Sequence, residues 1–103
     1  MSPNIAIRHQ DFAGAVEFYS KVIGFKNRST DPDLADFDAE PVNLFVIEDQ
    51  EFSGPVLELF VSNLDEARVF LEENGCKVLR WRGKGQDCYV QDPYGVIYNI
   101  WEE

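Results

Sequence analysis

Asn4-Ile5-Ala6-Ile7-Arg8-His9-Gln10-Asp11-Phe12 and Val56-Leu57-Glu58-Leu59-Phe60-Val61-Ser62-Asn63-Leu64 are two versions of one pattern. Laid over each other at an offset of 52 residues, they match Ile5 with Leu57 and Ile7 with Leu59. The register then runs on to identities, Ala15 with Ala67 and Phe18 with Phe70. Self-similarity at a fixed spacing marks two copies of one supersecondary unit. A one-residue slippage enters near Gly24 and Gly75, as expected of a loop that follows a helix.

Each copy opens with period-two alternation, the signature of a half-buried strand, and then places Asp11 or Asn63 where a helix N-cap belongs. In the first copy Phe12, Ala15, Phe18, Tyr19 and Val22 fall at helical spacing, and Gly24 supplies the stop. In the second, Leu64, Ala67, Phe70 and Leu71 do the same, with Asn63 and Glu66 at capping-box spacing and Gly75 at the end. Three short strands follow each helix: about 25–30, 34–39 and 42–48, then about 76–82, 87–91 and 96–102. Turn formers separate them: Asp31-Pro32-Asp33, Glu40-Pro41, Gly83-Lys84-Gly85 and Asp92-Pro93-Tyr94-Gly95. The last has proline second and glycine fourth, which suits a type I turn closing a hairpin. Asp49 to Pro55 is the expected linker. The expected architecture is α+β, a single domain over 1–103 built of two tandem βαβββ modules, about 1–50 and about 55–103.

Composition narrows what such a domain does. At 103 residues there is room for one core, and 45% hydrophobic with 14% aromatic residues is enough apolar surface to offset the entropy of ordering the chain. Nineteen acidic residues against nine basic give a net charge of −10, which opposes nucleic acid and anionic membrane as partners, since phosphate binding needs a basic surface. The N-terminal stretch lacks a signal-peptide core, and no window approaches a membrane span, so a cytoplasmic protein is expected. Cys76 and Cys88 are twelve apart, without metal-ligand spacing, and read as packing residues kept reduced.

Several motifs resemble those of a known family. Asp11-Phe12-Ala13-Gly14-Ala15-Val16-Glu17-Phe18-Tyr19 with Ile23-Gly24-Phe25 looks like the first-helix signature of the glyoxalase/bleomycin-resistance/dioxygenase, or vicinal oxygen chelate, family. Asn63-Leu64-Asp65-Glu66-Ala67 with Gly75 resembles its second helix, and Asp92-Pro93-Tyr94-Gly95 its Asp-Pro-x-Gly turn. The resemblance implies a curled mixed sheet around a cleft, where enzymes of the family hold a divalent metal. Its ligands include a histidine seven residues before the acid that precedes the first helix, and a glutamate four residues after the glycine of the last turn. Here those positions are Asn4 and Asn99, and the opening position of the second copy is Val56. Valine supplies no donor and two neutral amides little charge compensation, so no metal or other cofactor is expected. His9, the only histidine, alternates to the face opposite Asn4 and reads as a partly buried, hydrogen-bonded structural residue.

If the opening positions face the cleft, alternation adds Ala6 and Arg8 to Asn4, Glu58 and Phe60 to Val56, and Ile97 and Trp101 to Asn99. The expected ligand-binding cleft is therefore Asn4, Arg8, Val56, Glu58, Phe60, Asn99 and Trp101, an aromatic wall with amides and one charge of each sign. Glu58 would anchor a cationic group while Trp101 stacks on its planar part; alternatively Arg8 and Glu58 pair with each other, and the aromatics are core or dimer packing. The inward sides of the middle strands carrying Trp81, Tyr89 and Gln91 stay open. Lys77, Arg80, Arg82 and Lys84 form a basic cluster, either a solvated face or a complement to an acidic patch on a second subunit. Two functions follow from the resemblance, beside a third reading in which a degenerate domain with a filled cleft serves only as a dimerisation or regulatory partner. One is a metal-independent binder of an amphipathic or cationic aromatic small molecule, working as a homodimer like the family's drug-binding, antibiotic-resistance branch. The alternative is a glyoxalase-like lyase, isomerase or dioxygenase whose metal ligands are displaced, or in which Glu58 acts as a general base with Arg8 stabilising an oxyanion.

Overall fold

The computed structural model describes residues 1–103, which divide into two compact units, Pro3–Pro55 and Val56–Glu103 together with Met1–Ser2. The first, module 1, runs β1 (Asn4–His9), α1 (Phe12–Glu17), β2 (Lys26–Thr30), β3 (Leu34–Ala39) and β4 (Val42–Glu48). Module 2 runs β5 (Gly54–Val61), α2 (Leu64–Glu73), β6 (Lys77–Trp81), β7 (Cys88–Gln91) and β8 (Ile97–Glu102). In module 1 β1 pairs in parallel with β4, and β4–β3–β2 continue antiparallel. Module 2 repeats this, β5 parallel to β8 and then β8–β7–β6 antiparallel. The architecture is α+β, two βαβββ units of the same topology.

Helix placement follows from capping and from one narrow apolar stripe. Asp11 Oδ1 accepts the Gly14 N–H at 3.0 Å, and Asn63 Oδ1 accepts the Glu66 N–H at 2.9 Å. Phe12, Ala15, Val16 and Tyr19 pack on a core of Ala35, Phe37, Leu44 and Val46. In module 2 Leu64 joins Cys88, Val90 and Ile100, with Leu71, Leu59, Val78, Trp81 and Tyr98 against them. Phe18, Val22 and Phe70, expected on these buried faces, are instead exposed. Phe18 and Phe70 lie roughly 100° around the helix from the centre of each stripe, since successive residues turn by about that angle. Side chains at that angle point along the sheet surface and not into it.

The one-residue slippage of the repeat lies inside the helix and not in the loop after it. From Phe18 to Ile23 the first helix continues as a π-helix, and the Gly24 N–H reaches back five residues to the Tyr19 carbonyl at 3.1 Å. Gly24 follows Phe18 by six positions, but Gly75 follows Phe70 by only five. A π turn absorbs one inserted residue without shifting what precedes it. Gly24 and Gly75 then end the helices at φ +88° and +92°, as a left-handed stop requires. The linker is shorter than expected: β5 already begins at Gly54. Asp49 organises it, its Oδ1 accepting the N–H groups of Glu51 at 2.7 Å and Phe52 at 3.0 Å.

Candidate ligand-binding site

Each four-stranded sheet has a face covered by its helix, and alternation sends every second side chain to the other face. In module 2 the helix side takes Leu59, Val61, Val78, Cys88, Val90, Tyr98 and Ile100. The helix-free face therefore carries Val56, Glu58 and Phe60 on β5 and Ile97, Asn99 and Trp101 on β8. Register joins these into rows: Val56 beside Ile97, Phe60 beside Trp101, and between them Glu58–Asn99–Tyr89–Arg80 across all four strands. Five expected site residues thus share one face. Val56 is buried and Phe60 is about half exposed.

Tyr89 and Arg80 are the members that sequence reading did not place. The Arg80 guanidinium lies 5.3 Å from the centre of the Tyr89 ring and its Nη1 is 3.3 Å from Asp87 Oδ2. The ring itself is fully buried. An irregularity between Val78 and Arg80 breaks the period of β6, so counting along that strand misleads. The hairpin offered a usable signal: its Asp92–Gly95 turn closes with the Gly95 N–H on the Asp92 carbonyl at 3.1 Å, which fixes Gln91 opposite Ile97 and hence Tyr89 opposite Asn99. Trp81 lies on the helix side, with the Arg68 guanidinium 5.1 Å above its ring. The basic cluster is dispersed, Arg80 turning to Asp87 and Lys84 to Glu102 at 2.7 Å.

Module 1 carries the other two expected residues on its own helix-free face, and both are built into local networks. Asn4 Oδ1 accepts from Asn43 Nδ2 at 3.0 Å, and Asn43 Oδ1 in turn accepts from Arg28 at 3.1 Å. Arg28 also reaches Asp36 at 3.2 Å and Asp38 at 3.5 Å. Arg8 forms an ion pair with Asp49 at 3.1 Å, both side chains nearly buried, a partner that sequence reading did not find. His9 is exposed, not partly buried as expected; its Nδ1 accepts the Asp11 N–H at 2.9 Å, so it is hydrogen-bonded on the helix side.

A glyoxalase/bleomycin resistance protein/dioxygenase superfamily member from Vibrio splendidus 12B01 superposes on this chain with a TM-score of 0.57 at 17% identity, 96% of each chain being covered. The chain has the glyoxalase/bleomycin-resistance fold. The same glyoxalase-like fold is found in an NAD-dependent benzaldehyde dehydrogenase from Legionella pneumophila, at TM-score 0.66, 17% identity and 96% coverage of both chains. It recurs in a hypothetical protein from Bacillus halodurans C-125, at TM-score 0.60 and 16% identity over 97% of this chain and 91% of that one. No protein-family model matches the sequence, and no curated protein resembles it in sequence. Names this different on one architecture show that the glyoxalase-like fold sets a frame and that function has to be argued from the site.

The metal associated with glyoxalase-like enzymes does not fit the donors present. Val56 offers an aliphatic side chain. The Asn4 oxygen is engaged by Asn43, and the Asn99 Oδ1 accepts the Cys88 backbone N–H at 3.0 Å. Within neither module do three or more His, Cys, Asp or Glu side chains gather as a metal site would need.

Proposed function

We propose that the protein binds a small amphipathic or cationic aromatic molecule without a metal, on the helix-free sheet faces that carry Asn4, Arg8, Val56, Glu58, Phe60, Asn99 and Trp101. The observation that carries this reading is the commitment of both family-position amides to hydrogen bonds inside the protein, beside a valine at the third position. What the faces supply is a binding surface: Glu58 for a cationic head, the Phe60 and Trp101 rings for a planar body. The Trp101 indole N–H is buried and donates to no protein acceptor. A polar atom on the ligand would satisfy it. In this reading the protein resembles the drug-binding resistance proteins of the fold and acts in the cytoplasm as a homodimer. The exposed Phe18, Val22, Ile23, Val69 and Phe70 supply apolar surface for such an association.

Fluorescence titration with a panel of cationic aromatic compounds tests the reading, with the tryptophans as reporters. Saturable quenching that Trp101→Ala abolishes and Glu58→Gln weakens by about tenfold, equivalent to roughly 1.4 kcal/mol, is the expected result. No saturable response, or a response that neither variant changes, refutes it. Elemental analysis of protein purified without a histidine tag adds a second criterion: stoichiometric zinc, nickel, manganese or iron would establish the metal-dependent enzyme instead.

A further inference from the structure

Module 2 contains a hollow on the side of the sheet that faces α2. It has a volume of about 400 Å³ and is walled by Leu59, Leu71, Val90 and Ile100, with Cys76 among them and Asp92 and Tyr98 as its polar pair. Pro93 lies 3.1 Å from where a β-carbon on Gly75 would sit, so the Asp92–Gly95 turn is packed against the end of α2 and helps close the space. The size falls within the roughly 300–1,000 Å³ typical of small-molecule sites, and the pattern of apolar walls with one convergent polar pair is also theirs.

The polar pair selects the ligand. Asp92 Oδ1 accepts the N–H groups of Tyr94 at 2.9 Å and Val96 at 3.0 Å, as the turn requires. Oδ2 accepts the Tyr98 hydroxyl at 3.0 Å, and a carboxylate oxygen has room for a second donor. Burial pulls the Asp92 pKa upward, but these N–H groups and the Tyr98 hydroxyl outweigh it and hold the carboxyl below its usual range, so it is ionised at neutral pH. An anionic acceptor beside hydrocarbon walls favours a donor head on an apolar body and disfavours an anion.

We propose that this hollow is a binding site for a compact, mostly hydrocarbon molecule bearing one hydrogen-bond-donating head, an ammonium group in preference to a hydroxyl, with the head on Asp92 and the body among Leu59, Leu71, Val90 and Ile100. The site is separate from the helix-free face and stands or falls independently of it. Three probes of one shape test it: 2-phenylethylamine, 2-phenylethanol and phenylacetate. Methyl NMR follows Leu71, Val90 and Ile100, while alkylation of Cys76 by iodoacetamide reports access, the buried Cys88 serving as internal reference. The amine is expected to shift those methyls saturably and, near four-fifths occupancy, to slow Cys76 alkylation about fivefold. The alcohol should bind more weakly and phenylacetate not at all. Leu71→Trp, which fills the hollow, should abolish both effects, and Glu58→Gln, on the opposite face, should change neither. Absence of saturable shifts and of Cys76 protection in the wild-type protein overturns the proposal, whether or not Leu71→Trp folds. So does equal binding of phenylacetate, or loss of amine binding in Glu58→Gln, which would place the amine on the helix-free face.

Discussion

Gly14 has no room for a side chain: a β-carbon there would overlap the Asp11 carboxylate that caps α1. Alanine gains up to about 1 kcal/mol over glycine within a helix, and losing an N-cap costs about 1 kcal/mol, so Gly14→Ala should be close to neutral. In an Asp11→Ala background, with no cap left to displace, the same change should stabilise by roughly 0.5–1 kcal/mol. Denaturant unfolding of the four proteins measures this, and additivity of the two substitutions would refute the account. A larger effect is expected at Asp49. Its carboxylate pairs with a nearly buried Arg8 and holds the linker turn, so Asp49→Ala should cost on the order of 3 kcal/mol, while Asp49→Asn, keeping an acceptor for the turn, should cost less. The pair of exposed Lys84 with the partly buried Glu102 contributes to the pH response. Hydrogen bonding to Lys84, then to the Leu64 N–H, holds the Glu102 carboxyl below its ordinary range, and the same contact raises the Lys84 ammonium above its own. Glu102 and the similarly lowered Asp92 therefore contribute stability that is complete above the ordinary carboxylate range and disappears as pH falls through their lowered values. The Lys84 contribution is complete below about pH 10 and disappears as pH rises through its raised value. Thermal melts across pH should show Glu102→Gln flattening the acid limb; an unchanged limb would contradict this assignment.

At the scale of elements, the path from N-cap to terminal glycine is one residue longer in the first copy, Asp11 to Gly24 against Asn63 to Gly75, and only the first has one to spare. Its π turn over Phe18–Ile23 holds the insertion while Phe12, Ala15, Val16 and Tyr19 keep their seats on the core. Deleting the exposed Lys21 should let the helix close in α geometry with the core stripe undisturbed, at a cost below about 1 kcal/mol. Deleting Glu72 from α2 removes a residue that the helix needs to bring Cys76 and its strand into place, and should cost on the order of 2 kcal/mol or more by displacing partly buried side chains. Denaturation of the two deletion variants orders them; equal losses would show that the π turn is not the seat of the insertion. The hairpin of β7 and β8 is the matching case for strands. Its turn fixes which residues stand opposite each other, and so carries Tyr89 into the row of Glu58 and Asn99.

For the whole molecule, a net charge of −10 on 103 residues means self-repulsion that moderate salt screens. The melting temperature should rise by a few degrees between low salt and about 0.2 M sodium chloride, where the screening length is near 8 Å; a fall would mean that the ion pairs outweigh the repulsion. The sequence by itself determined the repeat, the α+β architecture and nearly every strand boundary, because period-two alternation, caps and turn formers act over a few residues and both copies carry them. It also showed that Asn4, Val56 and Asn99, at the opening of each copy and in the last strand, are two neutral amides and an aliphatic residue. Only the tertiary structure decided which helix residues the sheet covers, leaving Phe18 and Phe70 exposed, since coverage depends on how each helix is rotated against the surface below. It alone gave Arg8 the partner Asp49, 41 residues away, and brought Tyr89 and Arg80 beside Asn99 across an irregular strand. It alone opened the hollow between α2 and its sheet. These features arise from contacts between segments remote in the chain, where neither local propensity nor periodicity has any reach.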